Sequence, residues 1–177
     1  MTRLNTTFET ALVSWVTNNT PGLEAGKAVY GRQKAPRPSL PYARLNIMPA
    51  MSEDGINPDA GYTATDTYTY TFRKTFLVSI TIVANENYLR MISELENSLH
   101  KDGVHSTLKA AGLYFREALD VNDITELVDD RYEFRVNQDF RFGFATQDTE
   151  TITEIRRVIA DIDLGDGIVI EVDETTA

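Results

Sequence analysis

A chain of 177 residues fits one domain with room for a sizeable core, and 42% hydrophobic with 25% charged residues is ordinary for a globular protein. A formal net charge of -10 argues against a nucleic-acid grip made of clustered Lys and Arg, and the absence of Cys excludes a disulfide framework, a thiolate metal site and a Cys nucleophile. The N-terminus lacks the apolar core of a signal peptide, and no apolar run approaches the roughly 18 residues of a membrane span. The sequence therefore predicts no membrane contact and a protein made and kept in cytoplasm.

The first predicted element is a helix. Thr6 and Glu9 have capping-box spacing, and Phe8, Ala11, Leu12, Trp15 and Val16 form one apolar stripe. Asn18 to Gly22 stops it, and Trp15, the only Trp, reads as a core anchor. A short strand is expected at 27–30, followed by a segment that Pro36, Pro38 and Pro41 hold extended. It leads into a strand at 42–48, where Ala43, Leu45 and Ile47 alternate with Tyr42, Arg44 and Asn46. Residues 49–66 show no period and read as a loop or arm, with Ile56 and Tyr62 as anchors on a neighbour.

Two long strands follow from period-2 patterning. In residues 68–82, Tyr68, Tyr70, Phe72, Phe76, Val78, Ile80 and Ile82 share one parity, broken only by Lys74. In residues 132–144 every even position except Gln138 is aromatic or Val. Runs of this length exceed the usual strand of about 5 to 6 residues, so their ends are expected to need cover from another molecule. Between them lie a helix with Tyr88, Ile92, Leu95 and Leu99 on one side, capped by Asn85 or Asn87, and a short helical turn with Val104, Leu108 and Ala111. A strand at 113–119 and an acidic connector at 120–130, of one helical turn or less, complete this stretch.

Beyond Phe144, Ile152, Ile155, Val158, Ile159 and Ile162 fit a helical stripe by spacing, whereas the Ile, Val and Thr content favours extended chain and tips the reading to strand. Gly165 and Gly167 signal a turn before a last short strand. The expected architecture is α+β: a mainly antiparallel sheet with two long strands and two principal helices packed on one face. Residues 1–162 are read as a single domain, with 163–177 an acidic C-terminal extension.

Chemistry finds little footing. His100 and His105 lack metal-pair spacing, and no nucleophile elbow, phosphate loop or dinucleotide fingerprint occurs. The run from Asp161 to Gly167 fails as a calcium loop, with Asp166 where Gly is needed and Val172 where the bidentate Glu is needed. Glu126, Asp129 and Asp130 read as a solvated acidic turn. No catalytic residue, cofactor or metal is predicted. Charge is segregated instead: Lys27, Arg32, Lys34, Arg37 and Arg44 lie in an acid-free stretch, and the chain after Gln147 is strongly acidic. The bland reading is two solvated faces; the sharper one sets the basic stretch of one copy against the acidic tail of the next.

The W-V ending of the first helix, P-R-P-S-L-P-Y-A-R-L-N-I at 36–47, the Tyr/Thr strand, the helix ending near Leu99 and the path from D-V-N-D-I-T-E-L-V-D-D-R-Y-E-F-R to D-F-R-F-G-F-A together carry a resemblance. In this order and spacing the chain resembles the phage neck and tail terminator proteins over residues 6–159, leaving 160–177 as its own extension. The resemblance implies a tail-terminator-like fold and a structural virion protein rather than an enzyme. It implies a homo-oligomeric ring, commonly a hexamer, at the head-tail neck, which ends tail tube growth and joins the tail to the head connector. The implied partners are other copies, the tail tube protein, a head-side connector or stopper, and the sheath if the tail is contractile. DNA would pass through without specific binding, and the protein would occupy the host cytoplasm during assembly. The alternatives are a head-side stopper or adaptor, a tail tube subunit, or a small α+β enzyme or ligand-binding domain. The expected interface comprises Arg32, Lys34, Arg37, Ile56, Tyr62, Tyr68, Tyr70, Asp161, Asp163 and Asp166.

Overall fold

The alternating row at 132–144 forms one face of a central strand, and the other elements pack around it. The computed structural model describes residues 6–31, 36–53, 59–64, 67–128, 130–151, 158–160 and 170–172. Among these the order is α1 (Thr6–Asn19), β1 (Ala28–Tyr30), β2 (Tyr42–Glu53), β3 (Asp59–Ala64), β4 (Thr67–Ala84), α2 (Tyr88–Ser98), α3 (Asp102–Ala110), β5 (Tyr114–Asp123), β6 (Glu126–Val128), β7 (Arg131–Thr151), β8 (Val158–Ala160) and β9 (Ile170–Val172). The chain divides into two compact units, Met1–Asn57 with Phe72–Thr146 and Pro58–Thr71 with Gln147–Ala177.

In the first unit the strand order is β1-β2-β4-β7-β5, with β6 paired to the start of β7. The short β1 runs parallel to β2; β2 with β4, β5 with β7 and β6 with β7 are antiparallel. The β2–β4 register sets Ala43 opposite Ile82, Leu45 opposite Ile80 and Ile47 opposite Val78, so the alternating residues of both strands fall on one face. Against that face α1 places Leu12, Trp15 and Val16, α2 places Met91, Ile92 and Leu95, and α3 places Leu108, all in one cluster with Phe76, Phe140 and Phe142. Trp15 meets Phe140 and Phe142 edge-on at 5.4 and 5.7 Å. Each such large apolar side chain contributes on the order of 1.5–3 kcal/mol by leaving water.

The other face of β4 is closed by polar means. Thr75, Ser79 and Thr81 are buried there, and Asn137 on β7 donates to Ser79 Oγ at 2.8 Å and to Thr81 Oγ1 at 3.2 Å. The second half of β4 is thus buried on both sides, as its apolar sequence predicts. Arg37, in the proline-rich segment before β2, stacks on the Tyr42 ring at 5.1 Å and forms an ion pair with Glu133 on β7. Since β4 lies between β2 and β7, this pair spans the sheet.

Several expectations need correction. Residues 120–128 of the expected connector at 120–130 are not helical: β5 continues to Asp123, and β6 pairs with β7 through Glu126, Leu127 and Val128. Asp123 explains the change, since its Oδ1 accepts from Thr125 N at 3.0 Å and Thr125 Oγ1 at 2.6 Å and turns the chain without a helix. Part of the expected loop at 49–66 is strand, because β2 extends to Glu53 and β3 spans Asp59–Ala64. The expected short helical turn near Val104 is a nine-residue helix, so the described residues hold three helices where two principal ones were expected. Asn87 stands at the N-terminus of α2 with φ 58° and makes no side-chain cap bond. The turn at Gly165 and Gly167 lies outside the described residues.

In the second unit β3 pairs antiparallel with the first residues of β4, setting Tyr62 opposite Tyr68, and β8 pairs antiparallel with β9. The Tyr68 and Tyr70 rings meet edge-on at 5.1 Å. Tyr70 Oη donates to Glu150 Oε2 at 3.3 Å, and Gln147 Nε2 donates to Thr71 Oγ1 at 3.4 Å, so the end of β7 is tied to the start of β4.

Candidate interaction surface

Exposure along the even face of β7 changes in order. Val136, Gln138, Phe140 and Phe142 are sealed in the core, Phe134 is half-buried, and Tyr132 is 69% exposed. Directly across the pairing, Leu127 on β6 is 63% exposed, so it and Tyr132 form an apolar pair facing solvent. Val121, Ile124 and Val128 on the adjoining β5–β6 segment are also exposed. Isolated exposed apolar residues are ordinary, but Leu127 and Tyr132 are cross-strand partners on one face of the hairpin, which makes them a candidate contact surface.

The hairpin is held rigidly. Arg135 donates to Glu126 at 2.5 Å and to Glu133 at 2.9 Å, and Ile124 N donates to Arg135 O at 3.0 Å. Tyr88 at the start of α2 stacks on Phe134 at 5.4 Å and donates its hydroxyl to Asp123 Oδ2 at 2.8 Å. Hydrogen bonds from the Thr125 hydroxyl, the Thr125 amide and Tyr88 hold the Asp123 carboxyl below its usual range. The same bond to Asp123 raises the Tyr88 phenol. Apolar side chains are therefore displayed on a preorganised ribbon, which lowers the ordering cost of binding.

The residues expected at the interface fall in three groups. Arg32, Lys34, Ile56, Asp161, Asp163 and Asp166 lie outside the described residues. For Tyr62 the backbone is placed in β3, and Tyr68 and Tyr70 are half-buried in the second unit. Arg37 is half-exposed and engaged with Glu133. Leu127 and Tyr132 are the residues that sequence reasoning passed over. Their signal is the V-D-D-R turn between two apolar-bearing ends, hidden because Tyr132 has the same parity as the buried row.

Among the described residues no group of three or more His, Cys, Asp or Glu comes together as a metal ion needs, and no helix is long and apolar enough to cross a membrane. The described residues form an α+β fold, a mainly antiparallel sheet with helices packed on it. The profile of the phage neck terminator proteins matches residues 6–169, nearly the whole chain, and the protein belongs to that family. The match runs ten residues past Ile159, so the C-terminal stretch outside it is 170–177 rather than 160–177. A search of curated proteins finds no match. Membership makes this a structural neck protein of a phage virion, a class whose place implies contacts with other head and tail proteins.

Proposed function

We propose that the protein assembles into a homo-oligomeric ring, commonly six copies, at the head-tail neck, where it ends tail tube growth and docks the tail to the head-side connector. The observation that carries this reading beyond family membership is the exposed Leu127–Tyr132 pair, an apolar surface on a rigid hairpin that an isolated chain leaves wet. The opposite charge of the stretch holding Arg32 and Lys34 and the tail holding Asp161, Asp163 and Asp166 supports steering between copies. Ile56, Tyr62, Tyr68 and Tyr70 are the proposed arm contacts. The net charge of -10 suits a channel through which DNA slides, since like charge repels phosphate.

The partners in this reading are the tube protein, the head-side connector or stopper, and the sheath of a contractile tail. Negative-stain microscopy of purified protein mixed with tail tubes tests it. A terminator gives discrete rings and caps on tube ends; a chain that polymerises into tubes by itself is a tube subunit, and one that seats only on head connectors is a head-side stopper or adaptor.

A further inference from the structure

The apolar hairpin needs an occupant, and the first unit contains a surface that fits it. α1 and α3 flank a groove of about 440 Å³ lined by Trp15, Asn18, Lys101, Gly103, Val104 and Leu108 among others. Its only charged lining residue is Lys101. A groove of about 420 Å³ beside the start of α2 holds Glu86 with Arg90, and one of about 460 Å³ between α1 and β1 holds Glu9. The hairpin turn brings acid with the apolar side chains: Asp129 and Asp130 against Arg131, a balance of -1 (two acids, one base), with Glu126 paired to Arg135. An acidic apolar knob is repelled where carboxylates line the wall and attracted where a lysine does.

Resting on the ring reading above, we propose that the Leu127–Tyr132 hairpin of one copy seats in the α1–α3 groove of the next, with Lys101 facing the acidic turn. The two surfaces differ, so the contact is heterologous, and repetition of a heterologous contact generates a ring when the rotation closes. Gly103 suits the floor of such a seat, since a Cβ built there meets nothing within 4 Å and the helix backbone lies open to an approaching side chain. The basic stretch near Lys27 and Arg37 is a poorer seat for the hairpin, because Lys27 pairs with Glu24 and Arg37 with Glu133.

The chain has no Cys, so paired substitutions report cleanly. In the full-length protein carrying Leu127→Cys and Gly103→Cys together, a short bis-maleimide should link successive copies into a ladder ending at the ring, while either single variant stays unlinked. Leu127→Asp and Gly103→Phe should each raise the concentration needed for assembly by at least about tenfold, the loss expected on removing one central anchor. Leu127 is exposed, so Leu127→Asp should keep the wild-type circular dichroism spectrum, which separates lost assembly from lost folding. Rings that form without the ladder and assemble normally with Leu127→Asp overturn this contact and leave the ring reading standing. Wild-type protein that stays monomeric at every concentration overturns both.

Discussion

Arg37 and Glu133 form an ion pair across the sheet, with the guanidinium also stacked on Tyr42. The residue belongs to the basic stretch that the sequence suggests for contact between copies, yet its charge is used within its own fold. Arg37→Ala should therefore lower stability by up to about 1 kcal/mol, a small value because the guanidinium is half in solvent. It should leave the salt dependence of assembly unchanged. Urea melts and light scattering at several salt concentrations check both, and an altered salt slope with unaltered stability would place Arg37 between copies instead.

Trp15 Nε1 donates to Ser98 Oγ at 2.9 Å, and Ser98 Oγ donates in turn to Leu95 O at 2.6 Å, linking α1 to α2 through the core. Ser98→Ala removes the acceptor and leaves a buried indole N–H without a partner. Thermal or urea unfolding should show a loss of about 1–3 kcal/mol. Trp15→Phe with Ser98→Ala should cost less than the sum of the single changes, because the second no longer orphans a donor.

Gln138 interrupts the apolar row of β7, yet it is fully buried, with Nε2 donating to Glu96 Oε2 at 2.9 Å and to Leu119 O at 3.0 Å. It joins α2 and β5 to β7. Gln138→Ala should destabilise by about 2–3 kcal/mol through the lost bonds and the space left behind. A variant as stable as wild type in urea melts would show that these bonds contribute nothing net.

Asp123 is held below its usual pKa by Thr125 and Tyr88. A depressed carboxyl contributes order that is fully present above its unfolded pKa of about 3.9 and disappears as pH falls through the lower folded value. The protection of the Ile124 and Thr125 amides, taken as exchange relative to the unfolded chain at the same pH, should accordingly hold at neutral pH and fall only in the acid range below that value. Asp123→Asn should abolish this pH dependence while leaving exchange in α2 unchanged.

Removal of the residues after Leu164 takes away Asp166, Glu171, Asp173 and Glu174. If opposite charge steers copies together, the truncated chain should assemble more slowly at low salt, with a shallower dependence on ionic strength. Stopped-flow light scattering measures this directly, and an unchanged salt slope would remove the acidic tail from the interface.

Much of the fold was legible because its signals are local. The stripe of Leu12, Trp15 and Val16 and the parity of Ile80, Ile82, Phe140 and Phe142 each state which side is buried, and the structure buries those sides. The segment at 120–130 was not legible, because its form depends on the hydrogen bonds of one carboxylate, Asp123, and on pairing with residues past the turn. Acidic composition alone reads equally well as a solvated helical turn. The Leu127–Tyr132 surface was hidden for a different reason. Parity shows the face on which Tyr132 lies, but only tertiary structure shows that the helices covering that face stop short of it.

Multi-angle light scattering of the purified full-length chain, with imaging of the same fractions, tests the ring most directly. The account predicts a discrete species at a small whole-number multiple of 19.9 kDa, about six, visible as closed rings with a central hole. A single 19.9 kDa species across the whole concentration range, with no rings in the images, would contradict it.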